Sequence, residues 1–298
     1  DTAFFDKRSK FLHYLPELAV INNIEFDHAD IYGSLEEIKL SFRRLLNIVP
    51  GGGLAVVNGD DPNVIDVAEK SPCPVRTIGM SEGCEWRIEN PVYQTEGSSF
   101  RLAGEDYFIP MVGEFNVRNA AMAVAGGIFA GVRPDQIRKS FASFKGIARR
   151  QQLRGEVRGV RVIDDFAHHP TAIRLAIKAF RQQYPDSRIW AIFEPRSNTT
   201  RRSIFQGELA EALAGADRAV VPAIADPGKF AEAERLDPEQ LVRDVVSLGG
   251  EAVYIPSVGE IARYVAMHAE EDDVVAVLSN GGFGGLHEIL LSTLEERD

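Results

Sequence analysis

Short apolar runs recur along this chain, most of them ending in a polar or glycine cluster that leads into a helical period. Leu18–Ile24 is almost continuously apolar, the pattern of a strand buried on both faces. Ser34 and Glu37 fit a capping box for a helix carrying Leu35, Ile38, Phe42, Leu45 and Leu46, which Pro50-Gly51-Gly52-Gly53 stops. Leu54–Val57 predicts the next strand, ending in Asn58-Gly59-Asp60-Asp61-Pro62 with a helix behind it, and Val75–Ile78 predicts another. From Glu85 to Pro110 the segments shorten and alternate, with turns at Glu96-Gly97 and Gly104-Glu105-Asp106, which predicts antiparallel hairpins. Gly113–Asn119 opens a small-residue-rich helix over Ala120–Ala130, and Pro134–Phe144 gives a second.

Gly146–Arg150 has turn and charge character, and a fresh alternation begins after it, so the sequence places a domain boundary near Ile147 (domains 1–147 and 148–298). Beyond it, strands are expected at Val160–Ile163, Ile189–Phe193, Arg218–Val221, Ala252–Ile255 and Val274–Leu278, separated mostly by helical patterns. That order predicts a doubly wound α/β domain. The first domain reads as a mixed sheet with helices and a small antiparallel part. In open α/β sheets ligands sit at the carboxyl ends of strands, facing helix N-termini, so those ends are where chemistry is sought.

Composition narrows the classes. A chain of 298 residues has room for two ordinary cores, and a formal net charge of −11 argues against a general nucleic-acid or anionic-membrane binder. Two cysteines, Cys73 and Cys84, make neither a disulfide framework nor a C-x-x-C metal site, so the cytoplasm is the expected compartment. No apolar run approaches the roughly 20 residues that span a bilayer. The chain opens on Asp1 without a methionine, which suggests that an N-terminal part is missing.

Five places carry candidate chemistry. Asp164, Asp165, His168 and His169 fall between the strand at Val160 and a helix beginning at Pro170-Thr171; they either serve a ligand or cap and hydrate a loop. Glu194-Pro195-Arg196-Ser197-Asn198-Thr199-Thr200 ends the next strand on the same rim. Arg196 there suits a substrate carboxylate with Ser197, Asn198 and Thr199 as donors, or else the segment is a helix cap with a solvated arginine. Ser279-Asn280-Gly281-Gly282-Phe283-Gly284-Gly285 lets backbone N–H groups approach an anion, but it is neither a Walker loop nor G-x-G-x-x-G. Asn116 and Asn119, three apart, are either adenine-reading amides or helix caps, and Asp27-His28 either binds a metal or caps its loop.

Taken in order, N-I-E-F-D-H-A-D-I-Y at 23–32, N-G-D-D-P at 58–62, G-E-F-N-V-R-N-A at 113–120, Arg149-Arg150 and D-D-F-A-H-H-P-T at 164–171 resemble the Mur ligase family of peptidoglycan metabolism. The opening D-T-A-F-F-D-K-R-S-K-F, F-E-P-R-S-N-T at 193–199 and S-N-G-G-F-G-G-L-H-E at 279–288 are most similar to its recycling branch. The resemblance implies a central ATPase domain, then a Rossmann-like C-terminal domain, with a UDP-sugar-binding domain, phosphate loop and acidic metal motif lying before Asp1. A chain without them is expected to be inactive alone. The implied reaction is ATP-dependent joining of L-Ala-γ-D-Glu-meso-diaminopimelate to UDP-N-acetylmuramate through an acyl phosphate. By the same resemblance His28 holds Mg²⁺, Asn116 and Asn119 contact the adenine side of ATP, Arg150 its phosphates and Asp165 its ribose. The peptide is expected against Arg196, Ser197, Asn198, Thr199, Asn280, Gly281, Gly282, His168 and His169, with closure of the second domain hinged at Gly146–Ala148. The implied partners are these small molecules, not nucleic acid or membrane.

Two positions depart from the family pattern. Phe42 stands where several relatives carry a carbamylated lysine, and Phe115 where many have histidine. Ser197 replaces an arginine of the alanine-adding branch, which leaves room for a peptide. That branch is the alternative within the family, and a metal-dependent phosphoesterase using Asp27/His28, Asp60/Asp61 and Asp164/His168/His169 is the alternative outside it.

Overall fold

The computed structural model describes residues 8–28, 31–224 and 231–297, so Asp1–Lys7 of the opening motif and Ala29-Asp30 of the motif at 23–32 lie outside the described residues. The chain divides into two compact units, Asp1–Lys145 and Gly146–Asp298.

In the first unit, β1 (Leu18–Ile21), β2 (Leu54–Asn58), β3 (Val75–Gly79) and β4 (Trp86–Arg87) form a parallel sheet in that order. Every residue of β2 is buried, because both faces are covered. Ala55 and Val57 pack with α1 (Leu35–Ile48) and α2 (Pro62–Ala68), while Leu54 and Val56 pack with α3 (Glu114–Phe129) and the antiparallel sheet β5 (Glu89–Gln94), β6 (Gly97–Leu102) and β7 (Glu105–Ile109). A last helix, α4 (Pro134–Ser143), follows. β1 ends at Ile21 rather than Ile24: the Ile24 N–H donates to Asp61 Oδ2 at 3.0 Å, and the Asn22 carbonyl accepts from Asn58. Ser34 caps α1 as expected, but Glu37 returns its bond to the Gly33 N–H (2.9 Å) instead of to Ser34. α3 begins earlier than its small-residue run, since Gly113, at φ 111°, supplies the backbone turn that lets Glu114 start the helix.

The second unit is one six-stranded sheet in the order β12-β11-β10-β13-β9-β8. β9 (Val160–Asp165), β10 (Ile189–Phe193), β11 (Arg218–Val221), β12 (Ala252–Tyr254) and β13 (Val274–Leu278) run parallel. The sheet packs on α5 (Pro170–Gln183), α6 (Gln206–Leu213), α7 (Pro238–Ser247), α8 (Val258–His268) and α9 (Leu286–Glu295). Apolar residues of α8 and α9 cover Val160, Val162, Trp190, Ile192, Val275 and Val277. β8 (Gln152–Val157) corrects the sequence reading, which had no strand there. It is an antiparallel edge strand with a bulge at Arg154, and its charged, half-exposed pattern carries no strand signal because its order comes from pairing with β9. No helix among the described residues is long and apolar enough to cross a membrane.

Candidate functional site

In the first unit a polar network gathers where β1 and β2 end beside the first turns of α3. Arg118 donates to Asn58 Oδ1 at 2.8 Å and to Asp60, and pairs with Glu114 at 3.2 Å. Asn58 passes the chain on to the Asn22 carbonyl, and Asn22 Nδ2 donates to Asn119 Oδ1, both at 2.8 Å. Burial by itself would raise the Asp60 carboxyl. The Ser81 hydroxyl, the Met80 and Ser81 N–H groups and Arg118 outweigh it, holding that carboxyl well below the usual carboxylate range. Asp61 spends one oxygen on the start of α2 and the other on Ile24.

Asn119 is thus joined to the strand ends, whereas Asn116 is buried and donates to the Val112 carbonyl at 2.8 Å, anchoring the helix start. Neither is a helix cap. His28 is exposed, at φ 53°, with its N–H on Asp27 Oδ1 and its Nε2 3.9 Å from Asp27 Oδ2. Among the described residues no three His, Cys, Asp or Glu side chains group to hold a metal. His28 with Asp27 therefore fits an Mg²⁺ held mainly by nucleotide phosphates and water, the usual habit of that ion, and not a self-standing metal site. Asp60 and Asp61, which the phosphoesterase reading takes as ligands, are engaged by backbone N–H groups and, for Asp60, by Arg118. Phe42 packs against Phe11 in the core, with ring centroids 6.4 Å apart.

The second unit collects its candidates at the carboxyl ends of β9, β10 and β13. Asp165 is buried, and its oxygens accept from Gln151 N at 2.9 Å and Ala167 N at 2.7 Å. Burial raises this carboxyl above the usual range, opposed by those two N–H groups and by Arg150. It therefore ties the start of β8 to β9, and a ribose can meet it only through its remaining lone pairs. Arg150 is exposed, its guanidinium 5.0 Å from the Phe166 ring centre. His168 Nδ1 lies 3.0 Å from the Phe166 carbonyl, and His169 is the N-cap of α5, edge-on to Phe205.

At the end of β10 the Ser197 hydroxyl and Thr200 bond each other at 2.8 Å, Asn198 accepts from Arg201, and Thr199 is buried. Ser197 and Thr200 shape the turn, and Arg196 and Asn198 are the exposed members of the motif. The Arg196 side chain lies over Gly281, where any side chain would run into it, so only glycine keeps this approach. Glu194, Ser279 and Arg149 were not singled out by the sequence reading. Ser279 Oγ bonds both Glu194 and the Gly281 N–H, while Arg149 donates to the carbonyls of Ser279 (2.7 Å) and Gly281 (2.5 Å). Their signal was position alone: an acid and a hydroxyl as first residues after apolar strands. The rim is thus a loop of glycines held from both sides, with one exposed arginine upon it.

Residues 4–127 match the Mur ligase middle domain and residues 149–281 the Mur ligase glutamate ligase domain. The chain belongs to the Mur ligase family. This Mur ligase chain is 36% identical, over 301 aligned residues and 100% of its own length, to the UDP-N-acetylmuramate–L-alanyl-gamma-D-glutamyl-meso-2,6-diaminoheptandioate ligase of Escherichia coli K12, of which it covers 64%. It is 30% identical to the UDP-N-acetylmuramate–L-alanine ligase of Caldanaerobacter subterraneus, covering 96% of this chain and 62% of that one. A crystal structure of a murein peptide ligase from Psychrobacter arcticus superposes with a TM-score of 0.69 at 30% identity, over 99% of this chain and 61% of that one. The chain therefore spans somewhat under two thirds of the length of these relatives.

Proposed function

We propose that this chain supplies the nucleotide-handling and amine-handling parts of an ATP-dependent, ADP-forming ligase that joins L-Ala-γ-D-Glu-meso-diaminopimelate to UDP-N-acetylmuramate in peptidoglycan recycling. The observation that carries the reading is the rim of the second unit, where Arg196 stands exposed over a fixed glycine loop. The likeness over the whole of this chain to a relative named for this tripeptide, of which it covers 64%, supports it.

A carboxylate is a poor electrophile at neutral pH and repels a triphosphate. Transfer of the γ-phosphoryl of ATP to the lactyl carboxylate gives an acyl phosphate and ADP. The peptide amine then attacks the acyl carbon, loses a proton and expels phosphate, leaving an amide. Arg150 presents an exposed guanidinium to the phosphoryl oxygens, where fixed positive charge stabilises the transferring group. His28, with the nucleotide's own oxygens, would hold Mg²⁺, which when bound screens the negative charges brought together. Asn119 keeps an amide N–H₂ to offer adenine while Asn116 fixes the start of α3. Asp165 sets the backbone beside Arg150, and Arg196 takes a peptide carboxylate as a charge-assisted pair.

The test is phosphate release by a chimera that joins this chain to the N-terminal portion of the Escherichia coli relative, supplied with ATP, Mg²⁺ and UDP-N-acetylmuramate. The tripeptide is expected to exceed L-alanine by about 100-fold in kcat/KM. Preference for L-alanine would replace this reading by the alanine-adding one, and phosphoester hydrolysis without any amine would discard both. In the same assay Ser197→Arg, which also breaks the bond to Thr200, is expected to lower tripeptide use by about tenfold; unchanged tripeptide kinetics would remove Ser197 from the specificity argument.

A further inference from the structure

Behind the rim of the second unit lies a buried polar cluster that the proposed chemistry leaves unused. Asp164, on β9, is 1% exposed, and His287, in the first turn of α9, is 4% exposed. His287 Nε2 and Asp164 Oδ1 are 3.4 Å apart, yet among the described residues neither atom has a hydrogen-bond partner. The second oxygen, Oδ2, faces Arg154 at 3.3 Å and Arg149 at 3.5 Å. Arg154, set at the bulge of β8, continues to Glu288 of α9 at 2.6 Å. Arg149 continues outward instead, to the two carbonyls of the glycine loop.

An imidazole and a carboxylate buried without a bond between them do not recover the cost of leaving water, so a contribution to stability is a weak account of this pair. Its location suggests another. Asp164 comes from the strand before the rim and His287 from the helix into which the glycine loop runs. Asp164 thus meets, through Oδ2, the Arg149 guanidinium from which the loop hangs, while His287 faces its other oxygen. Burial lowers the His287 pKa, Asp164 opposes this, Arg154 and Arg149 reinforce it, and Glu288 opposes it. The surroundings therefore favour the neutral imidazole.

We propose that Asp164 and His287 are positioning residues for the amine substrate: they fix Arg149, and through it the backbone of Ser279–Gly281 on which Arg196 lies. The substrate half of this inference rests on reading the rim as the peptide side. The mechanical half does not.

Amide exchange in this chain needs no substrate and decides the mechanical half. In His287→Ala and in Asp164→Asn, exchange over residues 279–284 is expected to quicken by about tenfold or more while β10 and β11 stay protected. His287→Gln, which keeps a polar side chain facing Asp164, is expected to lie nearer the wild type. Unchanged loop exchange in both disruptive variants overturns the proposal, and so does an acceleration spread evenly over the second unit, the mark of simple destabilisation. In the ligase chimera, His287→Ala is expected to raise the tripeptide KM by about tenfold, with the ATP KM unchanged and kcat within about twofold. Equal rises in both KM values overturn the proposal as well. A wild-type chimera without ligase activity would count against the proposed reaction alone, because the exchange result stands without it.

Discussion

Asp60 and Asp164 hold comparable places, one just beyond β2 and one at the end of β9, each where a central parallel strand gives out. Their surroundings differ in how far they satisfy the carboxylate. Asp60 meets two backbone N–H groups, a hydroxyl and a guanidinium, and its network closes on Asn58, Asn22 and Asn119. Asp164 is more deeply buried, yet it keeps one oxygen unbonded beside an unbonded imidazole nitrogen. Native proteins bond nearly all buried polar atoms, so an exception calls for a reason outside stability. The comparison teaches that the saturated carboxylate belongs to the scaffold and the unsaturated one to the machinery that the scaffold carries.

Arg118→Ala puts the largest strain on this contrast. It strips Asp60 and Asn58 of a partly buried partner, and the first unit should lose about 3 kcal/mol, with the second unit unchanged. Exchange-detected urea unfolding, read separately in peptides of the two units, checks both halves of that statement. A loss under about 1 kcal/mol would demote the network to a surface pairing.

Acid unfolding sharpens the contrast next. Because the folded state holds Asp60 below its ordinary value, its contribution is complete above about pH 4 and is lost as pH falls through the depressed folded value. Asp60→Asn should therefore lower the plateau near neutrality and flatten the acid limb of the first unit. An acid limb as steep as the wild type's would assign it to other carboxylates.

His287 gives the smallest effect, at a different pH. Its folded pKa is lowered, so the unfolded chain takes up the proton first as pH falls. Stability is full above about 6.5 and declines below it until the folded value is reached, with a slope of at most about 1.4 kcal/mol per pH unit. Unfolding midpoints of the second unit between about pH 5 and 7.5 should lose that part of their slope in His287→Gln. An identical slope in the variant would mean that another histidine carries it.

Much of the fold was legible because parallel strands buried on both faces must be apolar throughout. Ile189–Phe193, Arg218–Val221 and Val274–Leu278 stand as the sequence placed them, and the Ser34 cap and the Pro170 start of α5 follow from local chemistry alone. β8 was illegible for the converse reason: an edge strand with a bulge and alternating charges owes its order to its neighbour. Within the site, sequence could name Arg196, Asn119 and the glycine loop by type and position. It could not tell that Asn116 and Ser197 are turned to structural bonds, that Thr199 is buried, or that Glu194, Arg149 and Ser279 hold the loop.

The sequence by itself determined the order of strands and helices, the strand ends at which polar residues collect, and the family, since these follow from period, turn chemistry and motif order along the chain. Only the tertiary structure decided which polar side chains are spent on the scaffold and which stay available. That depends on residues distant in sequence: Arg118, which bonds Asp60, and His287, which faces Asp164 without a bond. A carboxylate's role is set by the donors that the fold brings within about 3 Å of it, and no local pattern encodes them.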